Sequence, residues 1–366
     1  MTNLYKYEIA LSLIKGIGNI RAKNLIAYCG SAEAIFKEKK QNLLKIPEIG
    51  EYCIKFLLNQ EVLARAEEEL DFINKNNITP FFYLDDNYPK RLKHCDDSPI
   101  ILYFKGNCDF NMQKVISIVG TRSATDYGKD FCNKFINEIA QHQILIISGL
   151  AYGIDISAHK EAINKNIPTV GVLGHGLDRV YPSMHTLYAN KMIENGGLLT
   201  EFISNTKPDR ENFPMRNRII AGLSDAVIVV EAGESGGALI TAEIANTYNR
   251  DVFAVPGRIN DEYSKGCNKL IKINKAALIQ SAKDLEYIMG WEINKDKPTS
   301  TQKQLFVELT TDEEKMVSII KTNGETSIDM LAIQSQMNMS KVSMIMLNLE
   351  FKGMVRCLPG KLYKLA

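Results

Sequence analysis

The chain has 366 residues, 45% of them hydrophobic and 24% charged, enough for one large domain and one or two small ones. Its 44 Lys/Arg nearly balance 43 Asp/Glu, leaving a net charge of +1, which excludes a disordered polyelectrolyte and a globally basic nucleic-acid binder. No stretch approaches the roughly 20 consecutive apolar residues of a membrane helix, so no membrane partner is expected and a polyanion would have to meet a local patch.

The N-terminal "MTNLYKYEIALSLIKGIGN" has neither the basic start nor the uninterrupted apolar run of a signal peptide, and the expected location is the cytoplasm. Residues 1–65 read as short helices. Gly16-Ile17-Gly18 and Pro47-Glu48-Ile49-Gly50 each separate two apolar-periodic stretches, as in helix-hairpin-helix (SAM-like) units whose glycines can offer backbone N–H groups to a phosphate. Glu48 and Glu51 stand where a phosphate would sit, which favours packed hairpins over a nucleic-acid contact. Residues 66–111, with Pro89 and Pro99 punctuating them, read as an extended connector to the central domain.

From 112 to 290 the texture is α/β. "KVISIVG", "QILIISG", "PTVGVLG", "GLLTEF", "DAVIVVEAG" and "DVFAVPG" alternate with helical patterns, and the runs Val115–Val119 and Val227–Val230 show no polar alternation. Strands buried on both faces and joined by helices predict a Rossmann-like parallel sheet. A polar linker is expected over 291–305. Residues 306–366 read as three helices and a hairpin around Pro359-Gly360, a winged-helix-like domain. The middle of its third helix is rich in Met and Leu, and the charges of the segment nearly cancel, so it reads as a packing or partner-binding wing rather than a DNA reader.

The turn Gly233-Glu234-Ser235-Gly236-Gly237 fits G-x-S-x-G between a strand and a helix, the setting of a hydrolase nucleophile. In the usual hydrolase order an acid and then a histidine follow the serine, whereas all five histidines here precede residue 235. A rearranged triad stays open. The stronger reading is an anion cradle: glycines let amides converge on the N-terminus of the next helix, with Ser235 and Thr241 adding hydroxyls. Neither a Walker sequence nor G-x-G-x-x-G occurs, so no nucleotide cofactor is indicated.

Other turns gather where strand ends would meet. "VGTRSATDYG" supplies Gly120, Thr121 and Arg122; "SGLAYGIDISAH" supplies Ser148, Gly149 and Gly153; "LGHGLDRVYP" supplies Gly174, Gly176 and Arg179. "FPMRNRIIAG" supplies Arg216, Asn217 and Arg218, and "VPGRI" supplies Arg258. Arginines repeated along one edge beside glycine turns point to a groove for several phosphates. Asp155 and His159, four apart on one helix, read as a capping aspartate and a hydrogen-bonded histidine, and no cluster has a metal spacing. Seven scattered cysteines without C-x-x-C exclude a disulfide framework and a thiolate zinc site.

Taken together and in this order, "IVGTRSATDYG", "SGLAYGIDISAH", "VLGHGLDRVYP", "GGLLTEF", "FPMRNRIIAGLSDAVIVVEA", "SGGALITAEIA" and "FAVPG" resemble the DprA/Smf family, DNA-processing proteins of bacterial natural transformation. The resemblance covers roughly residues 112–280. It implies a non-enzymatic protein without cofactor that binds single-stranded DNA and forms a homodimer through the Rossmann-like domain. It further implies help in loading the RecA recombinase while displacing single-strand-binding protein. The DNA contact of the family's G-[ST]-R motif carries over to Arg122, and its glycine-rich and R-N-R segments to Ser235, Gly236, Gly237, Arg216, Asn217 and Arg218. After the Tyr-Pro of the third segment, relatives often have a basic residue; Ser183 stands here, with Arg179 the candidate substitute. The rival reading is a nucleoside-monophosphate phosphoribohydrolase, whose threonine and glutamate after a glycine turn are echoed by Thr241 and Glu243, although "SGGALITAE" departs from the tighter "GGxGTxxE".

Overall fold

In the computed structural model, which describes residues 5–57, 61–291 and 309–365, the chain divides into two units. One is residues 1–248 with 252–284, the other 249–251 with 285–366.

The first unit opens with helices α1 (Lys6–Ser12), α2 (Asn19–Cys29), α3 (Ala32–Lys37), α4 (Lys40–Leu43), α5 (Glu51–Leu57) and α6 (Glu61–Lys75). Leu11, Leu25, Ile35, Leu43 and Ile54, one from each of five helices, are fully buried and hold the bundle together. Gly16 makes the first hairpin with φ +86°, a conformation other residues rarely adopt. The two glutamates read as obstacles to phosphate are met within the bundle: Glu48 lies 3.8 Å from Arg21 and Glu51 3.4 Å from Lys40. Helix α6 runs past the expected boundary at 65, because Ala66, Leu70 and Ile73 continue its buried stripe.

The segment read as an extended connector is part of the sheet. It holds β1 (Thr79–Phe82), α7 (Lys90–Lys93) and β2 (Ile101–Asn107). The apolar run Ile101–Phe104 is buried throughout, which is why it pairs rather than spans. There follow β3 (Lys114–Val119), α8 (Asp126–Ile139), β4 (Ile144–Ser148), α9 (Ile154–Asn164), β5 (Thr169–Val172), α10 (Thr186–Glu194) and β6 (Gly196–Thr200). After these come α11 (Asn212–Leu223), β7 (Ala226–Val229), α12 (Gly237–Thr247), β8 (Asp251–Ala254), α13 (Lys265–Lys272), β9 (Ala277–Leu278) and α14 (Ala282–Ile288). All six runs read as strands from the sequence are strands.

The nine strands form one sheet in the order β1-β2-β6-β5-β4-β3-β7-β8-β9. The pairs β6–β5, β5–β4, β4–β3 and β3–β7 are parallel, with Ile116 opposite both Ile146 and Ala226. The expected parallel sheet is therefore extended at one side by two antiparallel pairs, β1–β2 and β2–β6. Close packing there needs glycine: a Cβ on Gly197 would collide with the Phe104 ring.

The second unit carries α15 (Thr311–Asn323), β10 (Thr326–Ser327), α16 (Ile328–Ser335), α17 (Met339–Phe351), β11 (Val355–Leu358) and β12 (Leu362–Leu365). Thr310 and Glu313 form a capping box at the start of α15. The three strands pair in the order β10-β12-β11, the hairpin forming the wing. Val342, Ile345, Met346 and Leu349 of α17 enter the core, whereas Met344, Leu347 and Phe351 stay exposed. Apart from Trp291, the expected linker over 291–305 lies outside the described residues. No helix among the described residues is long and apolar enough to cross a membrane.

Candidate functional site

From β3 the chain builds β4, β5 and β6 to one side, then returns to place β7 on β3's other edge. The strand order thus reverses between β3 and β7, and loops leaving the two strands diverge there to open a crevice. An open cleft of about 760 Å³ lies at that point. Gly120, Thr121 and Arg122 line it from the end of β3, Ala151 and Asp155 from beyond β4, and Phe213, Arg216 and Asn217 from α11. The turn from Gly233 to Gly237 closes the β7 side, with Asn260, Glu262, Tyr263 and Lys265 beyond β8.

Arg122 is exposed and its guanidinium lies 5.1 Å from the centre of the Phe213 ring. It forms no ion pair among the described residues, which leaves its donors facing the cleft. The loop that carries it is held from beneath. The Thr121 amide donates to the Glu231 carbonyl (2.7 Å), and the Thr125 amide to the buried Glu231 carboxylate (2.9 Å). Gly120 and Gly153 are glycines for steric reasons. A Cβ on Gly120 would run into Ile154, and one on Gly153, at φ +77°, into the Thr121–Arg122 backbone.

Arg216 is 95% buried, being 5% exposed, at the floor of the cleft. Its Nη1 donates to the carbonyls of Gly149 (2.5 Å) and Val172 (2.6 Å), and its Nε to Asn217 Oδ1 (3.2 Å). A Cβ on Gly149 would occupy the guanidinium's place, so glycine here lets Arg216 lie against the Gly149 carbonyl. Burial pulls the Arg216 pKa down to about 10; Asp155 opposes that shift and Arg122 adds to it. Asp155 is buried too. Burial raises its pKa, while Arg216 and the Ala151 amide lower it. Arg216 stays cationic at neutral pH and contributes a fixed field rather than a mobile side chain.

Across the cleft, Gly236 caps α12 at φ +143°, and Ser235, Gly236 and Gly237 are exposed. The first amides of α12 have no acceptor within the helix and carry its positive end. Asn217 Nδ2 donates to the Gly237 carbonyl (3.2 Å), fixing α11 against the turn. Thr241 lines the cleft but its hydroxyl donates to the same carbonyl (2.9 Å). Lys265 pairs with Glu234 at 3.2 Å, so its charge is partly offset.

Other candidates are placed elsewhere. The Ser148 hydroxyl is buried and donates to the Ile118 carbonyl (2.6 Å). Arg218, two positions after Arg216, points away from the cleft. It donates to the Asp97 carbonyl (2.7 Å) and pairs with buried Glu201, because two helical residues turn the side chain through about 200°. Arg179 forms an ion pair with its neighbour Asp178 (2.6 Å) and does not line the cleft. Arg258 is exposed beyond β8 and also outside the lining. Gly174 lies in an adjoining recess, where a Cβ would press on Phe213 at 3.1 Å, and Gly176 is buried against Ile203 and Asp178.

Sequence reading passed over Phe213, Glu231, Asn260, Tyr263 and Lys265. Phe213 opens the "FPMRNR" segment, so its place one turn before Arg216 was a usable signal; Glu231 and the loop beyond β8 offered none.

Neither enzymatic reading gathers its residues. Among the described residues no histidine lines the cleft that holds Ser235. His159 is fully buried with Nδ1 2.7 Å from Thr169 Oγ1, and burial pushes its pKa down to about 3. Glu243 pairs with Lys275 at 2.5 Å outside the cleft, so the phosphoribohydrolase echo loses its acid. No group of three metal-ligating side chains occurs among the described residues.

Residues 79–289 match the family model described as DNA recombination-mediator protein A, and residues 307–361 match the DprA winged helix domain. The chain is 31% identical to protein Smf of Synechocystis sp. over 98% of both chains. It is 35% identical to DNA processing protein DprA of Streptococcus pneumoniae over 69% of this chain and 95% of that one. The solved structure of the S. pneumoniae protein superposes with a TM-score of 0.63 at 32% identity, covering 78% of this chain and 96% of that one. A Helicobacter pylori DNA processing protein A, solved for its single-stranded DNA binding mode, has a TM-score of 0.53 at 28% identity over 58% of this chain and 96% of that one.

Proposed function

This chain belongs to the DprA/Smf family of DNA recombination-mediator proteins, and from that premise we propose that it binds single-stranded DNA along the carboxyl rim of its central sheet. The observation that carries the reading is the pairing of an exposed Arg122, stacked on Phe213 and free of ion pairs among the described residues, with the open amides of α12 across one cleft. Both are built for a phosphate and they approach it from opposite sides. A strand entering the cleft replaces the water on Arg122 with phosphate oxygens, while Arg216 supplies positive potential from the floor without moving.

The Helicobacter pylori relative's single-stranded DNA binding supports this reading. On the same family footing the protein acts as a homodimer in transformation, loading RecA recombinase onto the strand as single-strand-binding protein leaves it. Two grooves on one strand raise avidity without a new contact. Titration of the full chain with labelled single- and double-stranded oligonucleotides tests the core of the reading. Single-strand preference at physiological salt is the expected result, and equal or absent binding overturns it.

A further inference from the structure

Helix α17 stands where a winged helix commonly reads DNA, yet the side it shows to solvent is apolar. Ser340, Met344, Leu347 and Phe351 recur at spacings of four, three and four, which brings them within about 60° of one another around the helix. Met344 is 59% exposed, Leu347 51% and Phe351 82%, whereas Val342, Ile345, Met346 and Leu349 fill the core from the opposite side. Lys341 and Glu350 are the only charges on the helix, one on each flank of the stripe. Lys341 already pairs with Asp312 at 2.8 Å, and Glu350 accepts from the Cys357 amide at 3.3 Å. One paired lysine does not hold a phosphate backbone, because that affinity comes from several released counterions. A row of large apolar side chains left in water marks a surface for another protein.

The row reads the same in either direction. A second copy of α17, laid antiparallel about a two-fold axis between positions 345 and 346, sets Met344 against Leu347 of that copy and Phe351 over its small Ser340. Along the flanks Lys341 then meets Asn348 and Ser343 meets Glu350, a donor opposite an acceptor each time, and no two like charges approach. Side chains of this size and exposure remove roughly 400 Å² per chain from water, so the pair with its flanks reaches about 1,000 Å² in total, the low end for a specific interface. We infer that α17 is a self-docking face, through which the winged-helix unit of one chain pairs weakly with that of a second copy. This contact is separate from the homodimer proposed through the Rossmann-like domain. Two different two-fold contacts on one chain join pair to pair, and a strand long enough for several chains concentrates them. Cooperative coating of the strand is the consequence, and that step alone rests on the single-stranded DNA reading.

Sedimentation velocity of the full chain without DNA, over roughly 5 to 500 µM, tests the pairing at the weak affinity such an area supports. The mean mass should rise with concentration. Leu347→Glu, on an exposed position, should push that rise to at least about tenfold higher concentration while the melting temperature holds. Met344→Lys should do the same. Because position 344 faces position 347 of the other copy, an equimolar mixture of the Met344→Lys and Leu347→Glu chains should recover the association that each lacks alone. Leu347→Glu sedimenting like the unaltered protein at every concentration would mean that something other than a second copy covers the stripe, and overturns the inference. A mixture as dissociated as its two components overturns it as well. With DNA, Leu347→Glu should bind a strand that holds one chain as tightly as the unaltered protein does, and coat a long strand with a shallower, less cooperative isotherm. Failure of the unaltered protein to bind the short strand would overturn the cleft reading and leave the pairing of α17 standing.

Discussion

Arg122, Arg216 and Arg218 have the same side chain and three different situations. Arg122 is exposed over an aromatic ring, Arg216 is buried on sheet carbonyls, and Arg218 is tied to Glu201 and Asp97. Charge reversal by Arg122→Glu is expected to weaken single-strand binding more than tenfold in an anisotropy titration while thermal stability moves by no more than about 0.5 kcal/mol, as for other exposed positions. Arg218→Ala should do the reverse. It strands a buried carboxylate and is expected to cost about 3–5 kcal/mol in denaturant unfolding, with the salt dependence of binding unchanged below the transition. His159 gives a pH signature. Its folded pKa of about 3 lies below the 6.5 of the free side chain, so the unfolded chain takes up a proton that the native state refuses. Stability should be full above pH 6.5 and fall by up to about 1.4 kcal/mol per unit as pH drops toward 3. Subtracting the profile of His159→Leu isolates that share from the carboxylates.

At the scale of elements, α12 is the most direct test of the cradle. A Cβ at Gly237 would meet only Asn217 Nδ2 at 3.5 Å, an ordinary contact. Gly237→Asp therefore fits, and a carboxylate in the first turn stabilises the helix by about 0.3–1 kcal/mol. The same carboxylate occupies the anion position, so DNA affinity should drop while the melting temperature holds or rises; parallel losses of both would refute the cradle. Strands β3 to β8 were legible because each is a largely apolar run ending in a turn, mostly at glycine, whereas the two-residue β9 (Ala277–Leu278) is too short to show a pattern. Strands β1 and β2 were hidden. Pro80 sits inside β1, as only an edge strand tolerates, and Pro99 just before β2 reads as loop punctuation. The site was legible in its glycines and Arg122, for which local spacing suffices. The split between Arg216 and Arg218 follows from helix rotation, whereas the buried partners Glu231, Glu201 and Asp97 come from remote segments that no local pattern connects.

For the whole molecule, a net charge of +1 means that no long-range field gathers DNA. On the proposed reading, affinity comes from a few neutralised phosphates, and log Kd should change with log salt by about 0.7 per phosphate. A total slope near that of about two or three phosphates per chain is expected from the cleft as built. A much steeper slope would mean that other surfaces share the load.

The antiparallel addition of β2 to β6 also bears on how this protein can be dissected. The central layer is continued on that side by β2, residues 101–107, with β1 beyond it as the edge, rather than by a strand of its own. A fragment beginning at residue 112, where the sequence texture changes, would keep every cleft-lining loop yet bare the amides and carbonyls along β6. Naked borders of that kind recruit other chains. Such a fragment would be prone to self-associate through its raw flank, and a clump seen with it would be an artefact of the scissors.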